Sequence, residues 1–126
     1  LANWTPDGFI GELLRLVGRY VPPPAGVVSP AMWGSSEHLK KIFGDSARSL
    51  EVTQKTFNFR YHSADHFIDI FRSFYGPTHK AFGALDEPRR ALLTADIDAL
   101  IRRFDRGDER GMVVPATYVE VVAVRK

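Results

Sequence analysis

Histidine pairs, carboxylate pairs and aromatic clusters are the groupings in this sequence whose types and spacing could do chemistry. His62 and His66 stand four residues apart, a spacing that on one helix would aim two imidazoles at a shared metal ion. Ser63, between them, reads as a helix cap, so His62 falls ahead of the helix, and no third ligand lies nearby; no metal site is expected. His66 and His79 have the chemistry of general bases for a hydroxyl or carbon acid, set against the ordinary reading of solvated or core-satisfied histidines. Asp65 and Asp69 are also four apart, which reads either as paired carboxylates or as the solvent-facing side of a helix. Arg106-Gly107-Asp108 spells an adhesion tripeptide inside a charged turn and is read as chance. No serine sits in a nucleophile elbow and no phosphate-binding loop occurs, so no catalytic residue is assigned.

Aromatic residues make a stronger cluster. Phe71, Phe74, Tyr75 and Phe82 suit the wall of an apolar pocket, although aromatics at helical spacing more often form plain core. Asn3 and Trp4 border the turn into the first helix. Trp4 either meets a ligand there or packs beneath that helix.

The elements that must position these residues belong to a chain of 126 residues, enough for one core. With 44% hydrophobic and 25% charged residues and no long apolar run, the composition excludes a membrane-spanning helix. A net charge of +2, spread among acids, argues against nucleic acid as partner. The absence of cysteine rules out disulfides and thiolate chemistry and favours a cytoplasmic setting. Leu1 is not preceded by an initiating methionine, and the expectation is a trimmed product with sequence missing upstream.

Thr5-Pro6-Asp7 predicts a helix start, with Thr5 as cap and a helix from Pro6 to about Tyr20 whose apolar positions run from Phe9 to Tyr20. Pro22-Pro23-Pro24 ends it. A loop follows to Trp33, then a short helix capped by Ser35 or Ser36 and closed at Gly44. Arg48 to Tyr61 predicts one long strand. Its apolar alternation changes phase between Gln54 and Thr56, which predicts a bulge or twist there. Ser63 caps a helix with an aromatic face (Phe67, Ile68, Ile70, Phe71, Phe74, Tyr75), Gly76-Pro77 breaks it, and a short helix runs to about Ala84. Asp86 caps a longer helix with a stripe at Leu93, Ile97, Leu100, Ile101 and Phe104. Met112 to Val124 is the second long strand, with Pro115 suited to an edge or a strand start. The tally is α+β: five helices and two long strands, with at most a stub of a third at residues 1 to 3.

Several blocks together carry a resemblance: Leu1-Ala2-Asn3-Trp4-Thr5-Pro6-Asp7-Gly8-Phe9-Ile10-Gly11, Ser29-Pro30-Ala31-Met32-Trp33-Gly34, Phe57-Asn58-Phe59-Arg60-Tyr61, Phe71-Arg72-Ser73-Phe74-Tyr75-Gly76-Pro77-Thr78, and Val114-Pro115-Ala116-Thr117-Tyr118-Val119-Glu120-Val121-Val122. In this order they resemble the second half of bacterial S-adenosylmethionine-dependent methyltransferases of the ubiquinone and menaquinone biosynthesis type. The resemblance implies an α/β parent with a seven-stranded sheet. Within it, residues 1–126 would form one C-terminal segment: the end of the fifth strand, lid helices, and the sixth and seventh strands paired antiparallel.

In that family S-adenosylmethionine is held by a glycine-rich turn after the first strand and an acid ending the second. Neither is in this chain. Gly8 and Gly11 fall within the predicted first helix and lack the required order, so the expectation is that the chain binds no cofactor and is inactive alone. The resemblance places Asn3 and Trp4 on the substrate side, and Phe71 and Tyr75 of the aromatic cluster join them as candidate contacts for a small, apolar methyl acceptor. The alternatives are a stand-alone module that binds a hydrophobic ligand, or a dimerisation module. Exposed sheet edge and helix stripes predict a homodimer or swapped self-association.

Overall fold

The computed structural model describes residues 1–126. Its elements are β1 (Ala2–Trp4), α1 (Phe9–Tyr20), α2 (Ser36–Phe43), β2 (Ala47–Tyr61), α3 (Ala64–Phe74), α4 (Gly76–Ala84), α5 (Glu87–Phe104) and β3 (Met112–Arg125), with 3-10 turns at Pro30–Gly34 and Gly44–Ser46. The fold is α+β: five α-helices and one three-stranded sheet in the order β1-β3-β2, antiparallel throughout. This chain therefore contains three strands of sheet, not seven.

Most helix boundaries follow from the capping chemistry. The hydroxyls of Ser35 and Ser63 and the carboxylate of Asp86 accept backbone N–H groups of the first turns of α2, α3 and α5. The first helix departs from expectation. It begins at Phe9 with Gly8 as its cap and no capping side chain, because the Thr5 hydroxyl is engaged elsewhere. That hydroxyl meets the hydroxyl of Thr117 on β3, and the Thr5 N–H donates to the Thr117 carbonyl at 3.0 Å. A Cβ at Gly8 would collide with both threonine hydroxyls, so the close approach requires glycine there.

The long strands carry a second correction. The β2–β3 ladder runs unbroken from Ser49↔Val124 to Tyr61↔Met112, and its single irregularity lies between Ala47 and Ser49. There is no bulge at Gln54 to Thr56. The apolar phase changes because the cover changes sides. Met112, Val114 and Ala116 are buried with Phe59 and Tyr61 under α1, α3 and α5, whereas Val119 and Val121 are buried with Leu50 and Val52 under Leu39 of α2. Alternate residues of a strand face opposite sides, so a straight ladder covered on opposite faces at its two ends gives the same pattern as a bulge.

Pro115 lies in the central strand, where a missing N–H would ordinarily break a ladder. Here it is harmless. Thr117 and Val121 turn their backbone groups toward β1, bonding Thr5 and Leu1, and Pro115 has the same phase one step beyond, where the chain has already left β1 for α1.

The turn after β1 is sealed by Pro30–Gly34. Ser29 caps this turn through the Ala31 N–H, Asn3 Nδ2 donates to the Pro30 carbonyl at 2.8 Å, and Gly34 lies directly against the Trp4 carbonyl. A Cβ at Gly34 would overlap that oxygen. Gly34→Ala is expected to destabilise the fold by about 1–3 kcal/mol through overpacking. Gly18→Ala, in α1 with open space around it, is expected to stabilise by about 0.5–1 kcal/mol. Urea denaturation of the two variants checks both signs, and a neutral Gly34→Ala would contradict the sealed turn.

Candidate functional site

Trp4 ends β1 opposite Tyr118 of β3. Its ring packs on three others: Phe59 at 5.4 Å between centroids, Tyr118 at 5.9 Å and Phe57 at 6.2 Å. The wall continues through Phe59 to Phe71 of α3 at 5.8 Å and from Phe71 to Tyr75 at 4.8 Å. Edge-on and tilted contacts of this kind are the favoured ring geometries. Trp4, Phe71 and Tyr75 are thus drawn together on one face, with Phe59 as the link.

The wall stands where the helical cover stops. On the same face, beyond Phe57, Lys55 stands opposite Tyr118 and reaches diagonally to Glu120 in an exposed ion pair, 3.2 Å apart. Phe57 itself is 50% exposed, Trp4, Tyr75 and Tyr118 are half-buried, and Phe71 is buried. The arrangement is an open apolar margin of the core. It offers flat rings and no charged group to an apolar molecule, and Lys55 and Glu120 begin the polar rim.

Asn3 is placed differently. It points to the opposite face, where its Nδ2 holds the Pro30 carbonyl, while its Oδ1 accepts the Trp4 N–H at 2.9 Å. Its amide fixes the turn behind Trp4. Phe82 is core, 2% exposed, with the Arg72 guanidinium over its ring at 4.8 Å, and Phe74 stands outside the wall, 80% exposed at the end of α3. The sequence singled out neither Tyr118 nor Phe57 and Phe59 as site residues. Their signal was the alternation of aromatics on one strand face, which reads equally well as core.

The remaining candidates are dispersed. His62 and His66 have stacked rings 5.0 Å apart, and His66 Nδ1 accepts the His62 backbone N–H at 3.2 Å. The His79 ring bonds the Arg72 carbonyl through Nδ1. Asp65 and Asp69 lie exposed on α3. The space beside Gly8 is filled by the Thr5 and Thr117 side chains.

No protein-family model matches the chain. Curated relatives are mycobacterial. An uncharacterized protein of Mycobacterium tuberculosis and one of Mycobacterium bovis are each 34% identical over 106 residues, covering 81% of this chain and 39% of the relative. A further uncharacterized protein of Mycobacterium tuberculosis is 29% identical over 98 residues, covering 76% of this chain and 35% of the relative. The chain spans about two-fifths or less of the length of the curated relatives it matches.

Burial of Tyr75 in the wall pushes its phenol above the ordinary 10.0. Tyr20 is raised as well, first because its hydroxyl donates to the Asp96 carboxylate. Neutral phenols are favoured in the folded state, so their stabilisation is fully present below about pH 10 and is lost as pH rises through the raised values. Ultraviolet titration should show two of the four tyrosines ionising late. Tyr75→Phe should remove one of the late steps; an unchanged late amplitude would place Tyr75 in water.

Proposed function

We propose that this chain is the C-terminal, substrate-side segment of an S-adenosylmethionine-dependent methyltransferase of the ubiquinone and menaquinone biosynthesis type. The observation that carries the reading is the convergence of the resembling blocks. Thr5 and Gly8 of the first block meet Thr117 of the last, Gly34 of the second closes on Trp4, and Trp4 packs on the aromatics of the third. Phe71 and Tyr75 of the fourth block complete the wall. Blocks far apart in sequence thus meet around one strand end, and in open α/β sheets ligands bind beyond the carboxyl ends of strands.

The antiparallel pairing of β2 and β3 agrees with the sixth and seventh strands of the seven-stranded parent. The relatives are long enough to hold a cofactor-binding half besides this segment. S-adenosylmethionine would supply the methyl group from that other half. The residues of this chain would hold a small, apolar acceptor against Trp4, Phe59, Phe71 and Tyr75 and exclude water around it, so that positioning provides much of the rate. By itself the segment would be inactive, and the parent would work in the cytoplasm.

A second reading, a stand-alone hydrophobic-ligand or dimerisation module, draws on the exposure of Phe74 and of Val122, 58% exposed on β3. Self-association of the segment as a homodimer would bury those side chains together with the open edge of β2.

The test uses the open reading frame that contains this chain, assayed for methyl transfer from S-adenosylmethionine to a panel of quinols and phenols. Methylation of an apolar acceptor is expected. Trp4→Ala should lower kcat/KM by about tenfold or more, the cost of one lost apolar wall with its ring contacts. Absence of transfer to any acceptor, or an unaffected Trp4→Ala enzyme, would contradict the assignment.

A further inference from the structure

The carboxyl end of β2 and the loop entering β3 enclose a cleft of about 530 Å³, a volume within the range of small-ligand sites. Arg60, His62, His66, Arg106 and Arg110 line it against one carboxylate, Asp108. That carboxylate is already committed. It accepts the Arg110 guanidinium at 2.8 Å and the Arg110 backbone N–H at 2.9 Å, and the guanidinium holds its carboxyl below the usual range. Arg60 and Arg106 form no ion pair.

Both unpaired arginines line this cleft because their backbones flank one residue of β3. Arg60 is the cross-strand partner of Val113, and the Arg106 N–H donates to the Val113 carbonyl at 2.8 Å. Both arginines are therefore anchored to one residue of β3, from opposite sides. The loop between them is built rather than slack: the Asp105 carboxylate accepts the N–H groups of Gly107 at 2.8 Å and Val113 at 2.9 Å, and Gly111 N–H donates to the Asp108 carbonyl at 3.1 Å. On the other wall, His66 uses Nδ1 to accept the His62 N–H, which leaves Nε2 to carry the proton as a donor. Three arginines against one carboxylate, itself paired with Arg110, leave the cleft net positive, a concavity that attracts anions.

We propose that this cleft binds a phosphate group carried by a small molecule, held by Arg60 and Arg106 with His66 as a third donor. A phosphate presents several acceptor oxygens to donors arriving from several directions, which suits this wall better than a two-oxygen carboxylate does. The site begins at β2 residues 60 and 61, immediately beyond Phe59 of the aromatic wall, with Arg60 on the opposite face of the strand from that ring, and it stands independently of the methyl-transfer reading.

Calorimetry and NMR of this chain at about 0.15 M salt, with inorganic phosphate, pyrophosphate, glycerol phosphate and acetate as probes, test it. Saturable binding of the phosphate probes is expected, with acetate weaker by about tenfold or more and with movement of the His62 and His66 ring resonances. Tighter binding of glycerol phosphate or pyrophosphate than of inorganic phosphate would mark a phosphorylated small molecule as the ligand, and the reverse order would overturn that part of the assignment. Arg60→Ala with Arg106→Ala should weaken binding by at least about tenfold, and Arg110→Ala, which removes a paired charge, by less. Acetate binding as tightly as phosphate, non-saturable titration, or unmoved histidine resonances in the unsubstituted chain would overturn the proposal.

Discussion

The structure depends on β3 being shared. This last strand lies between the first and the second and hydrogen-bonds both, so residues more than a hundred positions apart become neighbours. Leu1 bonds Val121, Thr5 bonds Thr117, and Trp4 lies against Tyr118. Such long-range pairing carries a large ordering cost that only burial repays. The burial comes from a helical layer packed on one face at the Met112 end and from α2 on the other face at the Val121 end. Where the two covers meet, neither is complete, and there the aromatic wall reaches solvent.

Much of this was legible in the sequence because the determinants are local. Ser35, Ser63 and Asp86 cap helices wherever they precede an amphipathic run. Gly76-Pro77 separates α3 from α4, and the stripe on α5 is buried as its spacing implies. Legibility failed where a group had a distant partner. The Thr5 hydroxyl reads as a cap until Thr117 is placed beside it. The phase change in β2 reads as a bulge until two covers on opposite faces are seen, since a strand records which side is buried and not what buries it. Phe74 has the same helical phase as buried neighbours, yet α3 runs past its cover and leaves that ring exposed.

The same distinction governs the site. Trp4, Phe71 and Tyr75 stand out in the sequence as bulky aromatics at a strand end and on a helix face, and the fold brings them to one wall. Phe59, which joins them, was hidden among the alternating aromatics of β2. Asn3 was adjacent in sequence to Trp4 but lies on the other face of the strand, where a one-residue step must put it. The basic cleft was least legible. Arg60 and Arg106 are 46 positions apart and line one cleft only because Val113 pairs with the first and accepts the backbone of the second.

The proposed function makes this chain the acceptor side of a methyltransferase whose cofactor would be bound elsewhere in a longer protein. Calorimetric titration with S-adenosylmethionine of this chain and, in parallel, of the protein encoded by the whole reading frame tests it most directly. The account predicts saturable binding by the longer protein and no heat of binding from residues 1–126 alone. Binding by the short chain, or none by the longer one, would contradict it.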